Sequence, residues 1–171
     1  VVLMFLGGTV LYAEAAPLVP ALNSYWIAVH VSAAAGATGI LVVSGVASVL
    51  YLIRQRPRVA GRFVAQLPGA EVLDRLAYRT AVVAFPIWTF GIITGAIWAE
   101  AAWGRYWGWD PKETVALVAW VVYAGYLHAR ATAGWRGSRA AWVNVAGLAV
   151  MLFNFFFVNI VIAGFHSYAG I

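Results

Sequence analysis

Residues 25–53 read YWIAVHVSAAAGATGILVVSGVASVLYLI, an apolar run interrupted only by His30 and small or hydroxyl side chains. A helix that crosses a membrane needs about 20 mostly apolar residues. Three more runs are long enough: Thr80–Ala99, Thr114–Thr132 and Trp142–Gly164. The opening run, Val1–Ala13, is shorter and predicts part of another helix, which suggests a fragment of a longer protein. We therefore predict one all-α integral membrane domain over residues 1–171, a bundle of four full transmembrane helices plus a partial N-terminal one.

The composition excludes several classes of protein. Of the 171 residues, 64% are hydrophobic and 10% are charged, whereas soluble domains carry roughly a quarter charged residues. A large soluble catalytic domain is therefore excluded. The absence of cysteine also excludes disulfides, thiolate metal sites and a cysteine nucleophile. Any thiol chemistry at this protein would need thiols supplied by its substrate.

The basic residues predict the orientation in the membrane. Nine of the eleven Lys and Arg residues lie in two connections, at about 54–79 and 130–141. Because cytoplasmic loops collect Lys and Arg, we predict that both connections are cytoplasmic and that the loop at about 100–113 and the C-terminus face outward. This topology explains the net charge of +5, so no nucleic-acid partner is needed.

The loop AEAAWGRYWGWDPKET at 99–114 concentrates aromatic side chains between glycines and a proline. Tryptophan and tyrosine often form a belt at the membrane interface, and this remains one interpretation. The density within one loop favours another, a platform that covers the flat face of a large planar ligand. The predicted platform residues are Trp103, Tyr106, Trp107 and Trp109.

Two basic residues, Arg105 and Lys112, lie in the same loop. They are candidates to bind ligand carboxylates, since Arg and Lys pair with such groups. Equally open is a role in interfacial anchoring or in pairing with Asp110 and Glu113. The order Asp-Pro-Lys-Glu also resembles a helix start, so the two acids are predicted to cap the following helix.

The chain has three histidines, and an ionisable residue within a membrane helix suggests function. His30 lies near the outer end of its helix and His166 follows the last helix, so both flank the aromatic loop. They form a candidate bis-histidine site for heme iron, with zinc and hydrogen-bonded structural histidines as alternatives. Asn159 is a candidate neighbour of His166. His128 lies near the opposite face and would belong to a second site or be structural.

Small residues predict where the helices approach each other closely. Gly91 and Gly95 in GIITG, and Ser32, Gly36 and Gly39 in the first long run, have the spacing of such contacts. We interpret them as packing positions.

The run WGRYWGWDPKETVALVAWVVYAGYLHAR, residues 103–130, resembles the tryptophan-rich WWD signature of the heme-handling proteins of cytochrome c biogenesis. It is most similar to the CcsA type of system II, also called ResC or, in some bacteria, CcsB. Similarity extends to PALNSYWIAVHV, AFPIWTFGIITGAIWAE and VNIVIAGFHSYAG, so it covers nearly the whole chain. One departure is Val115, where the family commonly has tryptophan.

The resemblance implies roles for the three histidines. His30 and His166 correspond to the family's outward histidines, which ligate heme b at an external site. His128 corresponds to a histidine of an inner, transmembrane heme site whose partner lies on an earlier helix.

The resemblance also implies a function. Members of the family receive heme from the cytoplasm and present it for attachment to the CXXCH thiols of apocytochrome c, together with a ResB-type membrane partner. The chain is then expected to be part of a cytochrome c synthase, or heme lyase, in the plasma or thylakoid membrane, with no catalytic residue assigned. The alternatives are a heme exporter or chaperone without attachment activity, and a structural membrane anchor.

Overall fold

The computed structural model describes residues 20–56 and 62–158, together with residues 9, 161, 162, 164 and 166. A short 3₁₀ turn at Pro20–Leu22 precedes five α-helices: α1 Tyr25–Arg54, α2 Arg62–Gln66, α3 Ala70–Trp103, α4 Pro111–Ala131 and α5 Ser138–Leu152. A π-helical turn, Phe153–Val158, continues α5. The regular structure of the described residues is helical, which confirms the predicted all-α class. The predicted partial helix at Val1–Ala13, apart from Thr9, and the candidate Asn159 lie outside the described residues.

Within the described ranges, three helices are long and apolar enough to cross a membrane: Tyr25–Arg54, Ala70–Trp103 and Ser138–Val158. The chain is therefore a membrane protein. Helix α4 is not among the three; it carries Lys112 and Glu113 at its start and His128 and Arg130 in its last turns. The proposed fourth crossing at Thr114–Thr132 remains a prediction, as does the orientation of the bundle.

The helices meet through small residues. Helix α1 packs against α3 and α5, and α4 packs against α3 and α5. A β-carbon on Gly91 would lie 3.4 Å from the backbone nitrogen of Ala34, and one on Gly95 would lie 2.7 Å from the His30 imidazole. These two contacts confirm the predicted packing role. For Gly36 and Gly39 the prediction was wrong, because nothing lies within 4 Å of a β-carbon built there.

A buried hydrogen-bond network joins three helices. The Ser44 hydroxyl of α1 donates to the carbonyl oxygen of Ala77 in α3 at 2.6 Å. It also accepts from Asn144 Nδ2 of α5 at 2.9 Å, and the same nitrogen donates to Ser48 Oγ at 2.8 Å. Since Ser44 and Asn144 are fully buried, lipid cannot replace these partners, and the network fixes how α1, α3 and α5 meet.

Ser44→Ala is expected to lower the free energy of unfolding in detergent by about 1 kcal/mol, as typical for an interhelical hydrogen bond in a membrane protein. Thr38→Val is the matched control, because the Thr38 hydroxyl donates only within α1, to the Ala34 carbonyl at 2.7 Å. Unfolding in a detergent titration measures both. An equal loss in the two variants would contradict the interhelical role of Ser44.

The ends of the bundle differ in charge. The guanidinium of Arg130, near the end of α4, makes a two-pronged ion pair with Asp74 in α3, at 2.6 and 3.0 Å. The Arg130 guanidinium also stacks on the Tyr78 ring at 4.7 Å. Because α3 and α4 run in opposite directions, this pair lies at the end where the Arg-rich connections begin. The loop from Gly104 to Asp110 lies at the opposite end, where the candidate site is found.

Candidate functional site

His30 is held by the backbone of α3. Its Nδ1 lies 2.7 Å from the carbonyl oxygen of Gly91, and because a carbonyl only accepts, Nδ1 carries the proton. The imidazole packs against Gly95, where any side chain would collide with it. This arrangement fixes the ring and the tautomer. It leaves Nε2 with a free lone pair, the form of histidine that binds metals.

His166 is held by the start of α4. Its Nδ1 lies 3.1 Å from Oδ1 of Asp110, whose side chain is almost fully buried. Burial lowers the pKa of His166, and the neighbouring Asp110 opposes that shift, so the imidazole is neutral at pH 7. Gly164 is required beside this pair, since a β-carbon there would lie 2.5 Å from Asp110 Oδ2. As in His30, an occupied Nδ1 leaves Nε2 available.

A tryptophan missed by the sequence reasoning connects the two histidines. The Trp98 ring stacks parallel to His30, with centroids 6.0 Å apart, and meets His166 edge to face at 5.6 Å. Its indole N–H donates to the Ala21 carbonyl at 2.8 Å. Helical spacing could have revealed it, because Gly91, Gly95 and Trp98 share one face of α3. Trp98 therefore contacts both imidazoles.

Both histidines line one cavity of about 110 Å³. Its walls are largely apolar and come from α1, α3, α4, the loop before α4 and the end of the chain. Small residues such as Ala34 and Ala116 open the space between the helices. The side chains that give it chemical character are His30, His166, Trp88, Tyr106, Trp107 and Lys112.

The four predicted platform residues occupy different places. Tyr106 and Trp107 line the cavity. The Trp103 ring instead packs edge to face on His166, with centroids 5.1 Å apart. Trp109 is 70% exposed and has a left-handed backbone with φ +56°, a conformation uncommon outside glycine. The structure thus brings two of the four to the cavity and places a third against one of its histidines.

The two basic residues of the loop are separated. Lys112 lines the cavity, and burial lowers its pKa, opposed by Asp110. Arg105 turns its guanidinium onto Gly108, where a β-carbon would come within 2.6 Å of it. Among the cavity-lining residues described above, Lys112 is the basic one, and Arg105 is not brought to the cavity.

The predicted helix cap is confirmed. Asp110 Oδ1 accepts from the backbone N–H of Lys112 at 2.9 Å, while Glu113 Oε2 accepts from the backbone N–H of Asp110 at 3.2 Å and of Gly108 at 2.9 Å. Such a reciprocal cap satisfies the first N–H groups of a helix. Asp110 thus serves the helix and His166 with the same carboxylate.

Asn154 is a further residue that sequence reasoning missed. It lies in the π-helical turn, a feature that often marks functional positions, and it lines the cavity. Its Nδ2 donates to the Lys112 carbonyl at 3.3 Å, while its buried Oδ1 has no hydrogen-bond partner. The pattern FNFFFV gives one signal, a single amide among exposed phenylalanines.

His128 is not part of the cavity. It is exposed in the last turn of α4, at the end of the bundle that carries the Arg130 ion pair. Its distance from the start of α4, roughly 25 Å at 1.5 Å per residue, agrees with the prediction that it cannot reach the aromatic loop.

The fold and the site together define a class: a helical membrane protein that sets two histidines and several tryptophans around one apolar cavity. Residues 1–166 match the cytochrome c assembly protein family, and the chain belongs to that family. The resemblance seen in the sequence is thereby confirmed.

Individual relatives support the same assignment. The chain is 43% identical to the cytochrome c biogenesis protein CcsA of Parasynechococcus marenigrum (strain WH8102), with 91% of the chain and 59% of the relative aligned. Identity is 40% to the protein of the same name from Guillardia theta and 41% to that from Chlamydomonas reinhardtii, over 58% and 44% of those proteins. The chain thus spans less than two thirds of the length of these relatives.

Proposed function

We propose that this protein acts in cytochrome c biogenesis, as the names of its relatives indicate, by binding heme b between His30 and His166 and presenting it for attachment to apocytochrome c. The observation that carries the proposal is the pair of imidazoles on one cavity. Each has its Nδ1 engaged, by the Gly91 carbonyl and by Asp110, and each therefore offers Nε2 to iron.

The residues present fit heme better than zinc. Protein zinc sites usually use three or four histidine, cysteine or carboxylate ligands. In the part of the chain that the structure describes, no three such side chains cluster closely enough to hold an ion. Two neutral imidazoles with aromatic and apolar surroundings are instead typical of a bis-histidine heme site.

The proposed chemistry needs no nucleophile from this chain. Heme supplies vinyl groups, and a cysteine S–H of the apocytochrome adds across each C=C, forming one C–S and one C–H bond without an oxidant. His30 and His166 would hold the iron, Trp107 and Tyr106 would contact the macrocycle, and Lys112 would place a positive charge on the lining beside the propionates. Holding the reactants in place contributes most of the rate in such a reaction.

The partners in this proposal are the lipid membrane, a ResB-type membrane protein and the apocytochrome that contributes the CXXCH thiols. The decisive experiment reconstitutes the purified protein with the ResB-type partner and apocytochrome, and measures covalent heme by denaturing gel and absorbance. Covalent heme supports the synthase role. Bound but unattached heme would make the protein an exporter or chaperone, and no heme in well-folded protein would leave only a structural anchor.

His128 is proposed to belong to an inner heme site that supplies the cavity. His128→Ala is expected to reduce severalfold the heme content of protein purified from cells. Binding of heme that is added to the purified protein should not change. Val121→Ala is the matched control, because Val121 is exposed on the same face of α4, two turns earlier. Normal heme content in His128→Ala would show that His128 is structural.

A further inference from the structure

Two tryptophans of the cavity have indole N–H groups without a partner. Trp88 is 8% exposed, and its Nε1 is buried with no hydrogen-bond acceptor; the same holds for Nε1 of Trp107. Leaving a buried donor unsatisfied costs about 1–3 kcal/mol. Both residues line the cavity together with His30 and His166.

Two other indoles in the bundle have protein acceptors. Trp98 donates to the Ala21 carbonyl at 2.8 Å, and Trp120 donates to the Thr89 hydroxyl at 2.9 Å. A buried polar group without a partner in a native protein calls for an explanation. A ligand acceptor in the cavity would provide one.

The charges around the cavity favour an anionic acceptor. Lys112 contributes an ammonium group to the lining. The carboxylate of Glu113, which also lines the cavity, is already used by the backbone N–H groups of Gly108 and Asp110. Asn154 Oδ1 is one acceptor without a partner on the same lining, against two indole donors without one, so the described lining favours a ligand rich in acceptor oxygens.

We infer that Trp88 and Trp107 donate their indole N–H groups to the carboxylates of the bound ligand, with Lys112 supplying the positive charge. The inference rests on the proposed function, because heme b carries two propionates. Hydrogen bonds to an ionised oxygen are about twice as strong as neutral ones. Trp88 thereby becomes a binding residue that lies outside the aromatic loop, in the middle of α3.

The test compares heme with heme dimethyl ester, which keeps the iron and the macrocycle but blocks both carboxylates. The purified protein in detergent is titrated with each compound and followed by absorbance. The unmodified protein is expected to bind heme at least tenfold more tightly than the ester. Trp88→Phe, which removes the N–H and part of the ring, is expected to reduce that preference severalfold and to leave ester binding nearly unchanged. Trp107→Phe is expected to reduce the preference severalfold as well.

Trp120→Phe is the matched control, because its N–H is bonded to Thr89 and it is not among the described cavity-lining residues; its preference should equal that of the unmodified protein. An unchanged preference in both Trp88→Phe and Trp107→Phe would overturn the inference. So would an equal loss of heme and ester binding in both, since the rings would then act by packing alone. If the unmodified protein binds neither compound, the proposed function fails instead.

Discussion

Replacing His30 and His166 together with alanine is expected to abolish heme retention at the cavity. Both imidazoles line the same space and both have Nε2 available, so the double variant loses both iron ligands. Loss of a group that merely orients a ligand already weakens metal binding 10- to 100-fold, and removal of both ligands is expected to exceed about 100-fold. The heme absorbance of protein purified in detergent measures the outcome.

A rescue experiment separates ligand loss from misfolding. His166→Gly removes the ring while leaving the helices intact, because His166 lies beyond the last helix. Added imidazole is expected to restore heme absorbance to this variant by replacing the missing ring. Full heme binding by the double alanine variant, with an unchanged spectrum, would refute the assignment of His30 and His166 as ligands.

Asp110→Asn is expected to weaken heme binding about tenfold and to raise the reduction midpoint of the bound heme. The carboxylate at His166 Nδ1 increases the basicity of the imidazole, and a neutral amide removes that effect. Because asparagine caps helices as well as aspartate does, the start of α4 should be preserved. Redox titration and melting temperature therefore report the two roles of Asp110 separately.

Glu100→Gln is the control for this prediction, since Glu100 is an exposed acid at the same end of the bundle. Gly164→Ala should reproduce the effect of Asp110→Asn, because a β-carbon there would collide with Asp110 Oδ2. If Asp110→Asn lowers the melting temperature and leaves the midpoint unchanged, the carboxylate acts only as a helix cap.

Much of the helical architecture could be predicted, because long apolar runs have few alternatives in a membrane. The limits appear at the helix ends. Helix α3 begins at Ala70 rather than at the predicted Thr80. Residues 70–79 carry charges, so they lie outside the apolar run although they belong to the same helix. Similarly, α4 mixes apolar residues with charges at both ends, so its crossing of the membrane remains a prediction.

The candidate site was predictable only in part. The topology places His30 and His166 at the same end of the bundle, and this follows from counting crossings. The partners of those histidines depend on tertiary contacts between residues far apart in sequence, such as His30 with Gly91 and His166 with Asp110. For the same reason the rotation of Arg105 onto Gly108 could not be predicted, whereas helical spacing alone places Trp98 on the face of α3 that carries Gly91 and Gly95.

The two imidazoles are anchored differently. The His30 imidazole is hydrogen-bonded to the backbone of α3, at Gly91. The His166 imidazole is instead hydrogen-bonded to the side chain of Asp110 at the start of α4. A ligand bound between them would be held on one side by an imidazole bonded to helix backbone and on the other by an imidazole bonded to a single side chain. Loss of the single contact with Asp110 would release the His166 imidazole from α4. Release of a ligand on the His166 side would then require no rearrangement of the helices themselves.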